Sequence, residues 1–248
     1  MGDQPGQLPR RAQVLSTLIA ANGCVVDSSP MYGTAEQVVG DALKASNSRE
    51  MAFIATKVWT QGREQGIAQM ERSMALLYTS HIELMQIHNL LDWRTHLRTL
   101  TEWKEAGRIS YIGATHYAEE GHAALEEIMR TQPIDFVQFN YSVASRQAER
   151  RLLALATERG IAVIINLPFG GGRLLQTLHK RRLPEWAAQI GCTSWGQLML
   201  KFVLSQPAVT CVIPGTSSPD HMSENAAAGW GVPPEPDFWK NRMNVFAV

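Results

Sequence analysis

Short apolar runs recur along the chain at a nearly regular interval, and this interval constrains the fold more than any other feature of the sequence. Successive runs begin roughly 25 to 30 residues apart, except for a wider last gap, and one strand plus one helix occupies about that length. Each run is therefore interpreted as a strand. The predicted strands are Cys24–Val26, Met51–Ala55, Ile82–Ile87, Tyr111–Gly113, Phe136–Phe139, Ile161–Ile165 and Val209–Ile213.

The segments between these runs carry apolar residues at helical spacing. After the first strand, Val38, Val39 and Leu43 fall on one face, as in an amphipathic helix. Gly107 ends a later segment and is a residue that helix C-termini favour. The predicted helices are Arg10–Ala21, Thr34–Ala45, Ile67–Leu77, Leu97–Ala106, Glu119–Met129, Gln147–Glu158 and Ser194–Leu204.

Strands that alternate with helices predict a parallel sheet with right-handed crossovers, in a single domain that spans residues 1–248. A doubly wound dinucleotide-binding sheet would carry GxGxxG after its first strand, and this chain has no such motif there. Polar residues follow the strand ends all along the chain, as on the carboxyl face of a barrel. The predicted fold is α/β, a (β/α)8 barrel of the TIM type, whose usual length of about 250 residues matches the 248 here.

The barrel pattern lacks its first strand, because only seven strands are identifiable. An eighth should precede the helix Arg10–Ala21, but MGDQPGQLP has no strand signal. Three explanations stay open: the sequence is truncated, an unusual N-terminus replaces the strand, or another chain fills the gap. At the other end, residues 229–248 form a tail rich in Pro and Trp, which either folds over the barrel or plugs its bottom.

Composition excludes several classes of function. The chain is 45% hydrophobic and 19% charged, and its 23 Lys and Arg balance 23 Asp and Glu. These values are typical of a globular protein and give no basic excess for binding nucleic acid. No run of about 18 apolar residues is present, so no membrane span is predicted.

The cysteines and the N-terminus indicate the compartment. Cys24, Cys192 and Cys211 are scattered, fit neither a disulfide framework nor a zinc site, and are interpreted as small buried hydrophobes. The polar N-terminus lacks the apolar stretch of a secretory signal. The predicted location is cytoplasmic, or periplasmic if a longer parent protein carries an export signal.

Four side chains with complementary chemistry follow the ends of the first three predicted strands. Asp27 and Tyr32 follow the first strand, Lys57 the second and His88 the third. Each has an ordinary alternative as a helix cap, a half-buried aromatic, a solvated strand end or a core histidine. Because neighbouring strand ends of a barrel meet in one mouth, the four together predict a common site.

These groups suit the reduction of a carbonyl. The phenol of Tyr32 can donate a proton to the carbonyl oxygen, and the adjacent ammonium of Lys57 is expected to lower the pKa of that phenol. Asp27 would hold the ammonium in place, and His88 would add a hydrogen bond to the developing alkoxide. No protein side chain supplies hydride, so the reaction requires a nicotinamide cofactor.

Several stretches of the chain carry motifs that occur together in one family. They are Asp27–Gly33 with Glu36 and Gly40, Ala55–Lys57, Gln86–Asn89, Gly107–Gly113, Gln138–Ser142, Pro168–Gly170, and Ile213–Ser217 with Glu224–Asn225. This combination resembles the aldo-keto reductase family over nearly the whole chain. The resemblance implies a (β/α)8 barrel that reduces carbonyls with NADPH, a catalytic tetrad of Asp27, Tyr32, Lys57 and His88, and Tyr32 as the general acid.

The resemblance also implies where the cofactor binds. Thr115, His116 and Gln138 occupy positions that hold the nicotinamide carboxamide, and a glycine loop would wrap the pyrophosphate. Asn166 replaces a stacking aromatic, and His221 stands where many members have an Arg for the 2′-phosphate. The expected cofactor is therefore NADPH with a reduced preference, and use of NADH stays open. The predicted cofactor-binding residues are Thr115, His116, Gln138, Asn166, Pro168, Phe169, Gly170, Gly172, Arg173, Pro214, Gly215, Thr216, Ser217, His221, Glu224 and Asn225.

Three further residues, Trp59, Asn89 and Trp93, follow strand ends and are expected to line the mouth of the barrel. Aromatic walls with few polar groups suit a small aldehyde or ketone. The predicted function is reduction of such a substrate with NADPH or NADH. Two alternatives stay open: an NADPH-binding regulatory or scaffold protein of the same fold, and an inactive truncated form. The sequence leaves the oligomeric state open.

Overall fold

Seven parallel strands, arranged in the order of the chain, form the centre of the molecule. The computed structural model describes residues 8–247, and each strand pairs in parallel with the next one. This order confirms the predicted TIM-type α/β fold. The strands are β1 (Val25–Asp27), β2 (Phe53–Val58), β3 (Ile82–His88), β4 (Ile109–His116), β5 (Phe136–Asn140), β6 (Ala162–Asn166) and β7 (Val209–Val212).

Helices connect the strands, and every predicted helix is present with shifted ends. Two of these helices had no predicted range: α9, and the six-residue α7, because so short a segment shows no clear helical period. Within residues 8–247, no helix is long and apolar enough to cross a membrane. The helices are α1 (Leu8–Ala20), α2 (Ala35–Ala45), α3 (Arg63–Leu76), α4 (Trp93–Glu105), α5 (His122–Thr131), α6 (Leu152–Arg159), α7 (Arg173–Leu178), α8 (Trp195–Leu204) and α9 (Pro219–Ala227).

Local side-chain and backbone signals set several element boundaries. Ser194 begins α8, because its hydroxyl accepts a hydrogen bond of 3.2 Å from the backbone N–H of Gln197. Gly160 ends α6 at a φ of 65°, a left-handed conformation that glycine adopts without steric cost. The register shifts between β6 and β7, where the hydroxyl of Thr210 accepts from the backbone N–H of Val163 at 3.0 Å.

The apolar core has two parts. The larger part lies between the sheet and the helices and includes the fully buried Leu100 and Leu198. The smaller part contains strand residues from distant parts of the sheet, Ala55, Leu84 and Ile164, as the interior of a barrel does. The sheet therefore curves round an apolar interior, and the carboxyl ends of its strands meet on one side.

The curved sheet ends at β1 and β7, and both strands line one cavity. Within residues 8–247, β1 pairs only with β2, and β7 pairs only with β6. The cavity has a volume of about 850 Å³, and its walls include Val25, Val26, Cys211 and Val212. The two ends of the sheet thus face each other across this space.

The predicted lack of a strand at the N-terminus concerned MGDQPGQLP. Leu8 and Pro9 belong to α1, and residues 1–7 lie outside the described part of the chain. The α1 helix packs against α2 and α9, which flank the two ends of the sheet. It covers the outside of the cavity between β1 and β7, where its Val14, Leu15 and Leu18 line the wall.

The C-terminal tail packs along α8. The indole N–H of Trp239 donates to the Ser205 hydroxyl just beyond the end of α8, at 2.7 Å. The ring of Phe246 lies 6.2 Å from that of Trp195, at the start of the same helix. Within residues 229–247, Gly229 alone lines the cavity, so the tail lies along the outside of the barrel.

The cysteines differ in burial, and the prediction is wrong at one of them. Cys192 is buried and Cys211 is partly buried, and burial raises the pKa of both thiols. Cys24 is exposed, because it directly precedes β1 at the end of the sheet.

Candidate active site

A buried ion pair connects the ends of β1 and β2. The fully buried ammonium of Lys57 donates to Asp27 Oδ2 and to the Ser28 carbonyl, both at 2.7 Å. Because an unpaired ammonium is costly to bury, these two acceptors are what allow it to lie there. The Lys57 Nζ lies 5.5 Å from the centre of the Tyr32 ring.

Tyr32 ends a short 3-10 turn, Pro30–Tyr32, which begins at the capping residue Ser29. The pKa of the phenol is raised to about 12, first by burial and then by the negative charge of Asp27. The net shift is therefore upward, opposite to the lowering expected from Lys57. Asp27 neutralises the ammonium directly, and the phenol stays protonated at neutral pH.

His88 is nearly buried and lies beside Tyr32, with 5.8 Å between the two ring centroids in an edge-to-face arrangement. Its Nδ1 is 2.9 Å from the Ser29 hydroxyl oxygen, which itself accepts from the backbone N–H of Met31. In the tautomer in which the Ser29 hydroxyl donates to Nδ1, the ring proton is on Nε2. Burial, followed by the charge of Lys57, lowers the pKa of His88 to about 4, so the ring is neutral at pH 7.

Asp27 also links three further strand ends. Its Oδ1 accepts from Gln86 Nε2 at 3.1 Å and from Gln138 Nε2 at 3.0 Å. The other end of the Gln138 amide accepts from the Thr115 hydroxyl at 2.9 Å. Together with Lys57, these contacts connect the carboxyl ends of β1 through β5 around one carboxylate.

A second buried carboxyl supports the end of β2. Glu36 of α2 accepts from the Thr56 hydroxyl at 2.6 Å and from the Ser73 hydroxyl at 3.1 Å. Burial raises the pKa of Glu36, against the opposing effect of these hydrogen bonds and of Lys57. Through these contacts α2 and α3 hold the strand residue that directly precedes Lys57.

The cavity between β1 and β7 reaches the candidate active site. Asp27 and Tyr32 line its wall, and each is in contact with a second site residue, Lys57 and His88 respectively. Its volume of about 850 Å³ is large enough for a cofactor. The predicted cofactor residues in its wall are Asn166, Pro168, Phe169, Gly172, Pro214, Gly215, Thr216 and Asn225.

Glycines shape the loop after β6, where Gly170, Gly171 and Gly172 have φ values of 56°, 78° and 86°. A Cβ added to Gly171 or Gly172 would meet no atom within 4 Å, so this backbone is open to a ligand. In the same wall, the Oδ1 of Asn166 is buried and has no hydrogen-bond partner among residues 8–247. A buried polar atom needs a partner, and the amide groups of a dinucleotide could supply one. The donor set and the open glycine backbone thus fit a nicotinamide nucleotide.

Other predicted cofactor residues do not line this cavity. The carboxylate of Glu224 accepts from the Ser194 hydroxyl and so joins α9 to α8. The Nδ1 of His116 lies 3.0 Å from the backbone carbonyl of Ala118. The remaining residues outside the cavity wall are Thr115, Gln138, Gly170, Arg173, Ser217 and His221.

The three predicted substrate residues differ in position. The ring of Trp59 lies 6.3 Å from that of His88 and is partly exposed. Asn89 follows β3 at a φ of 51°, and its buried Oδ1 has no partner in the described part of the chain. Trp93 begins α4 and packs against the outer core. Of the three, Trp59 is the one that the structure places beside the candidate active site.

Two side chains of the site, Ser29 and Gln86, were not predicted. Ser29 precedes a proline and therefore resembles a simple turn cap. Gln86 stands two residues before His88, and side chains at that spacing in a strand face the same side. This spacing is a signal from which Gln86 could have been found, whereas none points to Ser29.

A β/α barrel with a polar site at the carboxyl ends of its strands has the architecture of a large class of enzymes. Comparison with protein families identifies one family within that class, because the model of the aldo/keto reductase family matches residues 2–233. The chain therefore belongs to the aldo/keto reductase family and is an NAD(P)H-dependent oxidoreductase. The resemblance seen in its motifs is confirmed.

Similar proteins match nearly the whole chain. The NADH-specific methylglyoxal reductase of Escherichia coli (strain K12) is 25% identical over an alignment of 281 positions, and the alignment covers 90% of this chain and 84% of that protein. Methylglyoxal reductase YeaE of the same organism is 26% identical over 234 residues, or 92% and 81% of the two chains. An aldo-keto reductase from Klebsiella pneumoniae, solved in complex with NADPH, has a TM-score of 0.81 at 23% identity and covers 98% of this chain and 87% of its own.

Proposed function

We propose that this protein reduces the carbonyl group of small aldehydes and ketones, with 2-oxoaldehydes as the first class to test. The observation that carries the proposal is the protonated phenol of Tyr32 at the wall of the cavity, beside the Lys57–Asp27 ion pair and the neutral ring of His88. A proton donor held next to a cation suits an oxygen that gains negative charge during the reaction.

The cavity wall would hold the cofactor. A bound nicotinamide nucleotide supplies the hydride. The open backbone of Gly171 and Gly172 is suited to the pyrophosphate, and Asn166 to an amide donor. His221 is exposed in the first turn of α9, and an imidazole lacks the two parallel N–H donors with which a guanidinium binds a phosphate. The proposal therefore includes both NADPH and NADH.

Tyr32 would provide the proton. When hydride adds to the carbonyl carbon, the π electron pair of the C=O bond moves onto the oxygen, which takes the phenolic proton as the O–H bond of Tyr32 breaks. The ammonium of Lys57 would stabilise the phenolate, and water would return the proton afterwards. Because the pKa of Tyr32 is raised to about 12, the donor is protonated at every pH near neutrality.

His88 would orient the carbonyl. In this role the Ser29 hydroxyl donates to Nδ1, and Nε2 carries the proton that is donated to the substrate oxygen. A neutral donor of this kind binds the oxygen without itself titrating between pH 5 and pH 9, since the pKa of His88 is lowered to about 4. Trp59, beside His88, would add an apolar wall for a small substrate.

The substrate class is supported by the relatives and by the charge of the site. Two similar proteins are methylglyoxal reductases, and methylglyoxal is a small uncharged 2-oxoaldehyde. The Lys57–Asp27 pair has no net charge, so an uncharged carbonyl compound would meet no repulsion there. The cytoplasmic location and the organisation of residues 1–248 as one domain stay predictions.

The test compares the Tyr32→Phe variant with the unmodified chain. Oxidation of NADPH and of NADH is followed with methylglyoxal and a panel of other aldehydes, and cofactor binding is followed separately by quenching of tryptophan fluorescence. Loss of a general acid typically lowers turnover by a factor of about 10² to 10⁴. We expect a loss of that size with cofactor binding retained. The control Tyr78→Phe, an exposed tyrosine just after α3, should keep full activity.

The outcomes separate the alternatives. Equal rates for the unmodified chain and for Tyr32→Phe would show that Tyr32 is not the proton donor. Tight cofactor binding by the unmodified chain without turnover of any carbonyl compound would favour a regulatory or scaffold protein. Absence of cofactor binding would indicate an inactive form.

A further inference from the structure

Ser29 connects two parts of the candidate active site through one buried hydroxyl. The side chain is fully buried and stands after β1, directly before Pro30. Its Oγ accepts from the backbone N–H of Met31 at 3.2 Å and lies 2.9 Å from His88 Nδ1. A single atom therefore contacts both the turn that carries Tyr32 and the ring at the end of β3.

The backbone holds Ser29 in place from both sides. The N–H of Ser28 donates to the Ala55 carbonyl at 2.8 Å, which continues the pairing of β1 with β2. The N–H of Tyr32 donates to the Ser29 carbonyl at 2.9 Å and closes the turn. A residue before proline favours extended backbone, and Ser29 has a φ of −165° and a ψ of 146°. The position of the hydroxyl is thus set by the sheet edge and the turn rather than by the ring of His88.

The proton of the Ser29 hydroxyl has one acceptor. Among residues 8–247 the hydroxyl has two hydrogen-bond partners, and one of them, the N–H of Met31, is itself a donor. If His88 Nδ1 carried the ring proton, the hydroxyl would accept from both partners, and its own proton would be buried without an acceptor. An unpaired buried donor is costly. The balance of donors and acceptors therefore favours donation from Ser29 to Nδ1.

The opposite side of the His88 ring is free to bind a ligand. In the described part of the chain, Ser29 is the one hydrogen-bond partner of the ring, and Nε2 has no partner and is not fully enclosed. The rings of Tyr32 and Trp59 lie beside it, with centroid distances of 5.8 Å and 6.3 Å. These aromatic contacts limit where the ring can lie but do not distinguish its two nitrogens. The hydrogen bond with Ser29 does distinguish them.

We propose that Ser29 is a positioning residue for His88: its hydroxyl donates to Nδ1, keeps the ring proton on Nε2 and directs that N–H towards the substrate oxygen. This role rests on the proposed function, because it acts on the oxygen that takes the proton of Tyr32. The lowered pKa of His88 agrees with it, since a ring that is neutral at pH 7 can accept at Nδ1 and donate at Nε2. Because the same hydroxyl caps the turn that carries Tyr32, Ser29 sets the positions of both groups that meet the oxygen.

Nitrogen NMR of the full chain with isotope-labelled histidine tests the direction of this hydrogen bond without any reaction. The signals of His88 are identified at pH 7 by their loss in His88→Ala. We expect a proton coupled to Nε2, and an Nδ1 signal typical of an unprotonated nitrogen that accepts a hydrogen bond. In Ser29→Ala the Nδ1 signal should move to that of a nitrogen without a hydrogen bond. A proton on Nδ1 in the unmodified chain, or an Nδ1 signal that Ser29→Ala leaves unchanged, would overturn the proposal.

Turnover of NADPH with methylglyoxal tests the consequence for the reaction. Ser29→Ala should lower kcat about tenfold with KM nearly unchanged, because the orientation of a donor matters most in the transition state. In a His88→Ala background the same substitution should cause no further loss, since Ser29 acts through that ring. An equal loss in both backgrounds would overturn the proposal, because Ser29 would then act only on the turn that carries Tyr32. No loss in either background would overturn it as well.

Ser48→Ala is the matched control. Ser48 is also a buried serine that begins a 3-10 turn, but it lies before β2, at the amino end of the strands. Its substitution removes a hydroxyl that lies 2.6 Å from the Ser46 hydroxyl and should leave kcat and the His88 signals unchanged. An effect on both as large as that of Ser29→Ala would overturn the proposal. Absence of carbonyl reduction by the unmodified chain would contradict the proposed function, and the NMR signals alone would then uphold or overturn the hydrogen bond from Ser29 to His88.

Discussion

At the scale of single residues, Tyr32 and His88 are both neutral at pH 7: His88 because burial and Lys57 lower its pKa, and Tyr32 because a phenol is neutral there even before its pKa is raised. Asp27 raises the pKa of Tyr32, and Lys57 lowers the pKa of His88. Since Lys57 and Asp27 neutralise each other, the four side chains carry no net charge at pH 7. Two neutral hydrogen-bond donors beside a balanced ion pair can meet a carbonyl without a change in their own protonation.

The lowered pKa of His88 predicts a pH dependence of stability. Its pKa is about 4 in the folded chain and about 6.5 in the unfolded chain, so between these values the unfolded state binds more protons. Stability therefore falls as the pH decreases from 6.5 towards 4. Between pH 7 and pH 5 the free energy of unfolding should fall by about 2 kcal/mol because of this residue alone.

Urea unfolding at pH 7 and pH 5 measures this effect. The His88→Gln variant should lose about 2 kcal/mol less than the unmodified chain over this interval. The control His179→Gln removes an exposed histidine after α7 and should keep the full decrease. The same decrease in all three proteins would contradict the assigned role of His88 burial.

How far the site could be predicted differs from residue to residue. The positions of Asp27, Lys57 and His88 follow from the strand ends, because parallel strands bring their carboxyl ends together. The direction of the Tyr32 pKa shift could not be predicted, since it depends on burial. The contact of Glu224 with the start of α8 could not be predicted either, because it depends on how α8 and α9 pack.

At the scale of elements, α2 and α3 approach each other so closely that one position has room only for glycine. A Cβ on Gly40 would lie 2.1 Å from the backbone oxygen of Leu76 and 3.0 Å from the Cα of Leu77. Both neighbours are backbone atoms, which cannot rotate away. This close approach lets Glu36 of α2 reach Ser73 of α3.

The Gly40→Ala variant should therefore destabilise the protein. Alanine usually stabilises a helix relative to glycine by about 1 kcal/mol, but overpacking at such a contact costs about 1 to 3 kcal/mol. We expect a net decrease in the free energy of unfolding, measured with urea. In the control Gly215→Ala, the added Cβ would meet no atom within 4 Å, and stability should stay unchanged. Unchanged or increased stability of Gly40→Ala would show that the two helices move apart freely.

The elements themselves were the most predictable part of the fold. Each strand is marked by its own apolar run, and the spacing of the runs predicts the parallel order. The boundaries were less predictable, as at Ile109, where β4 begins before its most apolar stretch. Helix α7 has only six residues, too few to show a periodic pattern.

At the scale of the whole molecule, the C-terminal tail supports the barrel from outside. The ammonium of Lys201 in α8 is buried and donates to the backbone carbonyl of Trp230 at 2.6 Å. Further along, Trp239 packs edge-to-face on Phe202, and Phe246 contacts both. The composition of the tail predicts that it packs, but only the tertiary structure shows that it packs on α8.

Two tryptophans of the tail give a matched test of this role. Trp239 is 3% exposed, whereas Trp230 is 64% exposed and uses only its backbone carbonyl to bind Lys201. Truncation of a buried tryptophan lowers the free energy of unfolding by about 3 to 5 kcal/mol. Truncation of an exposed one changes it by no more than about 0.5 kcal/mol. Trp239→Ala should lower the free energy of unfolding by the larger amount and Trp230→Ala by little. Equal small losses would show that the tail is not part of the cooperative unit. A different result is that Trp239→Ala loses much of its free energy of unfolding while the cofactor still quenches its remaining tryptophan fluorescence at low temperature. That result would show that the tail stabilises the barrel without forming the site.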